Sequence, residues 1–514
     1  MDLILSKNPA SGEIIHTEKT FDHSKISEVV ERAKAAQKTV WGNFSIKSRM
    51  KHLEKGRRFL LENIDSIAQS ISQNNGKPLV EALAEVVPMI QTISYLSKNA
   101  EKILKDEKVP MGFFLPTKKA YLTYRPLGVV GIISPWNYPL STPFAEVAQN
   151  LVAGNAVILK PSEVTGLVNQ WIQKIVDKME LPEHVFTMLS GKGDVGAALA
   201  SSFVDRIMVT GSVNTGRKVM TSAAANLTPV TLELGGKDCM IILDDANIET
   251  AASAAVVGGM YNAGQTCCSV ERLIIHESIA EEFLNLMKEK LKKIRVGESQ
   301  DFQNDMGPIT FEGQKAVYLN QLKDHIKHKE RTVFGDTDFD GKARFMKPLV
   351  VQTGDSRDFW KEETFGPVIA IKTFKTDLKA IEINNNSRFG LTALIWSKNT
   401  ARAREMAKHL NVGTVVINDA PFTNAIPMLP WGGVKESGFG KVHGAQGLRD
   451  LSHMRVISYD IAGQQKQFWW YPYSRVQYDF LKNYALLFEG IGFTTKFRAF
   501  LNVIKNITKM GPRI

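Results

Sequence analysis

The stretch GVVGIISPWNYPLSTPFAEVAQNLVAGNAVILKPSE, residues 128–163, decides the fold. Its ends, GVVGIISP (128–135) and NAVILKP (155–161), are short, β-branched and bounded by Gly or Pro, as strands buried on both faces should be. Between them FAEVAQNLVAG reads as a helix ending at Gly154, the favoured place for glycine at a helix C-terminus. Downstream, DRIMVTGS (205–212) is a third strand and TGRKVMTSAAAN the helix after it. CMIILDDAN and RLIIHESI continue the alternation, with AEEFLNLMKEKLKKI (280–294) as an amphipathic helix. The expectation is an α/β fold with a parallel, doubly wound sheet, whose ligands bind at the carboxyl ends of the strands. Upstream, 24–40, 47–75 and 78–104 carry apolar spacing near 3.6 and read as helices. GFFLPTKKAYLTYRP (112–126) alternates like a hairpin.

A chain of 514 residues, 44% hydrophobic, can support two or three domains with proper cores. Three cysteines, Cys239, Cys267 and Cys268, make no disulfide framework, so a reducing, cytoplasmic setting is expected. MDLILSKNPASGE has too short an apolar run for a secretory signal, and no stretch offers about 18 uninterrupted apolar residues for a spanning helix. The net charge of +11 is concentrated at the end: from residue 461 onward eight Lys/Arg face only Asp479 and Glu489. No nucleic-acid motif accompanies this charge, so nucleic acid is not an expected partner. In 463–514, Phe497, Phe500, Leu501 and Ile504 fall at helical spacing among Lys496, Arg498 and Lys505. Two readings stand open. The tail packs on its own protein or a partner subunit, or it lies in an anionic bilayer surface and makes the protein membrane-associated.

YNAGQTCCSVERL (261–273) places two cysteines side by side. A disulfide between neighbours is strained. Zinc needs about four ligands, and no CxxC or paired His lies near, so no metal is expected; HIKH (325–328) reads as a solvated helix face. Either the pair is small core filler, or one is a nucleophile that needs a thiolate-favouring site and a base. In TLELGGKDC, Glu233 sits between two leucines, a costly place for a charge unless it faces a cavity; partial burial would raise its pKa and suit it as a general base. The alternative is an edge-strand Glu in solvent. In PWNYP, Asn137 ends a strand, where its amide can donate to a developing oxyanion or serve as an ordinary turn residue. TGSVNTG (210–216) opens a helix whose N-terminus favours a phosphate, although it is not the GxGxxG fingerprint. KPSE offers Lys160 and Glu163 to a ribose, and a carboxylate there accepts from a 2′-hydroxyl and repels a 2′-phosphate.

PWNYP, AGNAVILKPSE, VTGSVNTGR, TLELGGK, GQTCCS, EETFGPV and PWGGVKESGFG occur in this order. Together they resemble the NAD(P)-dependent aldehyde dehydrogenase superfamily, over roughly residues 5–460. The resemblance implies Cys267 as nucleophile, Glu233 as general base and Asn137 as oxyanion donor alongside the Cys267 backbone N–H. It implies Lys160 and Glu163 at the adenosine ribose, Gly211, Ser212 and Gly216 near the pyrophosphate, Glu363 at the nicotinamide ribose, and Phe365 and Trp136 at the cofactor cleft. NAD is the implied cofactor, with NADP as the alternative. Many members carry a Lys nine residues after the oxyanion Asn; Glu146 stands there instead, so a proton relay through that Lys is not carried over.

The implied architecture is a Rossmann-like cofactor domain (1–111 and 127–234), an α/β catalytic domain (235–440), a small β oligomerisation element (112–126 and 441–462) and a basic aromatic tail (463–514). The hairpin at 112–126 is expected to pair with 454–460 of a neighbouring subunit, giving a homodimer or homotetramer. The implied activity is oxidation of an aldehyde to its carboxylic acid, with a medium- or long-chain aliphatic substrate suggested by the tail. The alternatives are a semialdehyde substrate, acyl transfer to coenzyme A, and a catalytically silent binding protein of the same fold.

Overall fold

The computed structural model describes residues 3–112, 115, 117–298, 301–338, 344–463 and 470–510. They fall into two compact units, 1–105 with 124–453, and 106–123 with 454–514.

The first unit contains two large open sheets besides the antiparallel pair Leu3–Lys7 and Ile14–Lys19. A six-stranded sheet runs in the order Gly438–Phe439, Val230–Glu233, Arg206–Thr210, Val129–Ile133, Ala156–Lys160, Phe186–Met188. All its pairings are parallel except that of Gly438–Phe439 with Val230–Glu233. The strands 129–133 and 156–160 are buried at every residue, as apolar runs covered on both faces must be. The crossover helix Ser141–Ala153 stops at Gly154, which takes φ +95° at its C-cap. A Cβ there would also meet the Arg49 guanidinium at 2.6 Å, so both conformation and space call for glycine.

The second sheet has seven strands, in the order Arg331–Phe334, Leu349–Gln352, Val368–Phe374, Val270–His276, Asp238–Ile242, Thr392–Trp396, Thr414–Ile417. Only Arg331–Phe334 runs antiparallel to its neighbour. The expected N-terminal helices are Ile26–Thr39, Ile46–Glu62, Ile64–Asn75 and Leu79–Ile103; the 47–75 segment is two helices, divided where Asn63 leaves helical geometry. By length and composition alone Leu79–Ile103 is long and apolar enough to cross a membrane, although, as the sequence reading has it, charged residues interrupt its apolar run. It carries Glu81 and Glu85 into the interior, which marks it as a core helix.

In the second unit, Lys118–Pro126 lies between Ser452–Asp460 and Glu107–Val109. The strand expected from a neighbour at 454–460 thus comes from the same chain, tied by an ion pair of Lys118 with Asp460 at 2.5 Å. The expected hairpin begins outside the described residues at 113, 114 and 116, and its strand starts at Lys118. The tail forms two helices, Arg475–Glu489 and Phe493–Met510, joined at Gly490–Gly492 and packed on each other, with Phe480, Ala499 and Val503 buried and Asn502 Nδ2 donating to Asn483 Oδ1 at 3.1 Å.

Candidate active site

The carboxyl ends of the six-stranded sheet open into a cavity of about 480 Å³ that also receives the loops around Cys267 and Glu363. Of the residues singled out by sequence, Trp136, Asn137, Gly211, Ser212, Glu233, Cys267, Glu363 and Phe365 line it. Lys160, Glu163, Gly216 and Cys268 do not.

The two cysteines separate by environment. Cys267 is partly accessible and lines the cavity, whereas Cys268 is packed in the core. A hydrogen bond with the Cys268 thiol is the main influence that holds the Cys267 thiol below its ordinary pKa, and backbone N–H donors add to it against burial. The same contact, with burial, drives Cys268 well above its own. Glu233 ends its strand fully inside the protein, not on a solvated edge. Neither carboxyl oxygen has a hydrogen-bond partner among the described residues. Burial first, then Cys267 and Glu146, pushes its pKa well above the carboxylate range.

Asn137 is held from three directions. One amide N–H donates to the Gln265 carbonyl at 3.0 Å, while Lys77 Nζ (2.9 Å) and Asn262 Nδ2 (3.1 Å) donate to the Asn137 carbonyl. A side-chain amide has two N–H groups, so one remains for a ligand. The turn that carries it is anchored further by Asn75 Nδ2 on the Trp136 carbonyl at 3.0 Å.

Glu363 lies over the LELGG turn and accepts from the Gly236 N–H at 2.9 Å. A Cβ on Gly235 would sit 2.3 Å from its Oε2, so this glycine is what lets the backbone pass the carboxyl. Burial raises the Glu363 pKa to about 8. Phe365 adopts φ +52°, unusual for an aromatic residue, and meets Trp136 edge-on at 5.6 Å. Its loop is pinned by Glu271, which accepts from the Thr364 N–H (2.7 Å), the Phe365 N–H (2.8 Å) and the buried Lys237 Nζ (2.5 Å).

A dinucleotide fits the remaining features. Ser212 caps the helix Val213–Ala224 by accepting from the Thr215 N–H, which turns a helix N-terminus toward the cavity. The space over Gly211 is open, since a Cβ there would meet nothing closer than 4.0 Å. Lys160 Nζ bonds Glu163 Oε2 at 2.8 Å at the end of the strand Ala156–Lys160. Gly216, expected near a pyrophosphate, also packs closely on the sheet: a Cβ on it would strike Leu234 at 2.7 Å, so helix-on-strand packing calls for glycine there. The HIKH pair departs from the solvated face expected of it, because His325 is buried against Thr332 and Glu330 and only His328 stays near solvent.

Sequence reasoning missed Lys77, Glu85, Lys237 and Glu271, two fully buried ion pairs at 2.7 and 2.5 Å that fix the loops on either side of the cavity. The available signal was a charged residue inside an apolar strand, as in VERLIIH.

Comparison with known proteins agrees with this geometry. Residues 2–457 match the model of the aldehyde dehydrogenase family. A 4,4′-diapolycopene aldehyde oxidase of Methylomonas sp. is 35% identical over 95% of this chain and 92% of its own. The peroxisomal aminoaldehyde dehydrogenase 2 of Pisum sativum is 34% identical over 90% and 93%. Among solved structures, a betaine aldehyde dehydrogenase of Staphylococcus aureus in complex with NAD+ superposes with a TM-score of 0.85 at 28% identity, covering 92% of this chain and 94% of that one. The chain belongs to the aldehyde dehydrogenase family. It is an NAD(P)-dependent oxidoreductase acting on aldehydes.

Proposed function

We propose that the chain oxidises apolar, medium- to long-chain aldehydes to carboxylic acids with NAD. The observation that supports the substrate class is the apolar part of the cavity wall, built from Pro88, Met89, Tyr138, Phe422, Trp431 and Val442, together with burial that pushes the lining carboxyls Glu146, Glu233 and Glu363 toward their neutral forms, which are poor partners for a substrate ammonium. Glu85 is occupied by Lys77 and by the Leu140 and Ser141 N–H groups. That disfavours the amino- and betaine aldehydes for which several relatives are named, and favours the hydrocarbon class of the relative named for diapolycopene aldehyde. Glu163 would repel a 2′-phosphate, which favours NAD over NADP.

In the chemistry we infer, Cys267 Sγ adds to the carbonyl carbon, and the oxyanion is received by the second Asn137 N–H and the Cys267 backbone N–H. NAD, when bound across Gly211, Ser212, Trp136 and Phe365 with Glu363 at its nicotinamide ribose, supplies the acceptor for the hydride that leaves the former carbonyl carbon. The resulting thioester on Cys267 is hydrolysed by a water whose proton Glu233 takes, releasing the acid and the thiolate. Cys267→Ser is expected to lower NADH formation by about a thousandfold or more, with Cys268→Ser retaining most of it; equal loss from both would overturn the choice of nucleophile. Across an aldehyde chain-length series, kcat/KM is expected to rise with length and to favour NAD. Preference for short amino aldehydes would overturn the substrate class.

We infer as well that this cytoplasmic enzyme, active as a homodimer or homotetramer, meets an anionic bilayer through its helical hairpin. At 100° per residue, Phe493, Phe497, Phe500, Leu501, Ile504 and Ile507 form one exposed stripe, with Arg498 and Lys505 along one side and Lys496 on the other. At the tip, Ile491 and Phe493 are 94% and 81% exposed. Apolar side chains bordered by cations match the acyl boundary under anionic headgroups. The full chain is expected to sediment with phosphatidylserine vesicles and not with phosphatidylcholine ones, and Phe497→Asp with Ile504→Asp is expected to abolish this. No sedimentation, or a loss of oligomers from the double variant with no effect on sedimentation, would overturn the lipid reading.

A further inference from the structure

One buried carboxyl in the cavity takes no part in the chemistry above. Glu146, on the helix Ser141–Ala153, is 3% exposed and lines the same cavity as Glu233 and Cys267. Its Oε1 accepts from Thr210 Oγ1 at 3.2 Å, and its Oε2 has no partner among the described residues. Thr210 and Glu233 are register partners at the carboxyl ends of adjacent parallel strands. The threonine that holds Glu146 is therefore directly beside the residue that would activate water.

We propose that Glu146 is a positioning residue for deacylation: its carboxyl forms with Glu233 an interacting pair that titrates as a unit, so that Glu146 sets the pH at which Glu233 becomes a base. The proposal rests on the hydrolytic reading above.

The surroundings leave the pair without a strong counter-charge. Lys441 is the cation that acts on Glu233, but its Nζ donates to the Gly432 carbonyl at 2.6 Å. Gly432 itself lies against Glu233, since a Cβ on it would come within 2.8 Å of Oε1. His443, which also lines the cavity, is held neutral by burial, with its pKa pushed down to about 4. The remaining titratable neighbour is the Cys267 thiol, itself a source of negative charge. Thr210 is neutral and can serve only as a donor to Glu146. Burial raises Glu146 to about 8, and its charge in turn raises Glu233. Two buried carboxyls lining one cavity cannot ionise independently, so the first ionisation suppresses the second. Removing the Glu146 charge should therefore let Glu233 ionise at lower pH.

Glu146→Gln keeps the shape and an acceptor for Thr210 but cannot ionise. The experiment follows hydrolysis of the preformed acyl-enzyme from about pH 5.5 to 9.5, after a stoichiometric NADH burst with a medium-chain aldehyde. In Glu146→Gln the rising limb of the hydrolysis profile is expected to move down by about one pH unit, while the burst, which does not use Glu233, keeps its own pH dependence. Glu146→Asp, still ionisable, is expected to return the limb toward that of the unmodified enzyme. Thr210→Val is expected to displace the limb while leaving both carboxyls in place.

A limb that stays put in Glu146→Gln overturns the pair, as does a Glu146→Asp limb that follows Glu146→Gln. If Glu146→Gln does not fold, the Thr210→Val and Glu146→Asp profiles decide alone. An unmodified enzyme that shows no NADH burst with any aldehyde overturns the underlying activity instead, so the two failures are distinguishable.

Discussion

Buried carboxyls are handled in two ways around this cavity. Glu85 and Glu271 each hold a buried lysine and two backbone N–H groups, at the Leu140–Ser141 turn and at the Thr364–Phe365 turn. Glu146 and Glu233, on the floor between those turns, hold no lysine at all. The first pair are scaffolding: each is fully satisfied by its lysine and two backbone N–H groups, and these contacts fix the loops that carry Asn137 and Phe365. The second pair are titratable because they are not satisfied. A buried ion pair is a poor source of net stability, yet it specifies position, whereas an unpaired carboxyl in the same medium is a reservoir for a proton.

The contrast predicts opposite phenotypes. Glu233→Gln removes a proton acceptor the fold does not rely on, so turnover is expected to fall about 10²–10⁴-fold while the NADH burst and the thermal midpoint are retained. Loss of the burst together with the fold would place Glu233 among the scaffold residues. Glu271→Gln leaves Lys237 buried without its partner, and a loss of about 3–5 kcal/mol is expected from denaturant unfolding. An unchanged midpoint would mean that Lys237 sheds its proton instead, in keeping with the downward pull of burial on its pKa.

Much of this arrangement was legible in sequence because strand ends are. Gly-bounded β-branched runs gave the parallel order, and Asn137, Glu233 and Thr210 all sit where such runs stop. The cavity residues within GQTCCS and EETFGPV came from motif resemblance. Their convergence needs the second sheet, whose outer strands the alternation did not resolve. The ion pairs were illegible for a different reason: Lys237 and Glu271 are 34 residues apart and meet only because Asp238–Ile242 and Val270–His276 run parallel as neighbours. Gly216 carries a second demand that the motif does not show, since close packing on Leu234 requires a glycine there whatever it does for a phosphate. The strand at 452–460 was read correctly as a strand, but nothing local in it distinguishes a partner in its own chain from one in a neighbour.

The effect that accrues most gradually, pH unit by pH unit, tests whether an unpaired carboxyl away from the catalytic groups behaves like Glu146 and Glu233. Glu81 accepts from the Asn262 N–H at 2.9 Å, and burial raises its pKa to about 8 from an ordinary 4.5, against the pull of Lys77. Between those two values the folded protein keeps a proton that the unfolded chain has released. Its contribution is therefore complete below about pH 4.5 and is lost as pH rises through 8, the reverse of a salt-bridged carboxylate. Glu81→Gln stays neutral and can still accept from Asn262. Its stability relative to the unmodified protein is expected to climb from pH 5 to pH 8, by at most about 1.4 kcal/mol per pH unit, read from urea midpoints. A difference that stays flat over that range would show Glu81 ionised in the fold and paired in effect with Lys77, moving it from the titratable class into the scaffold.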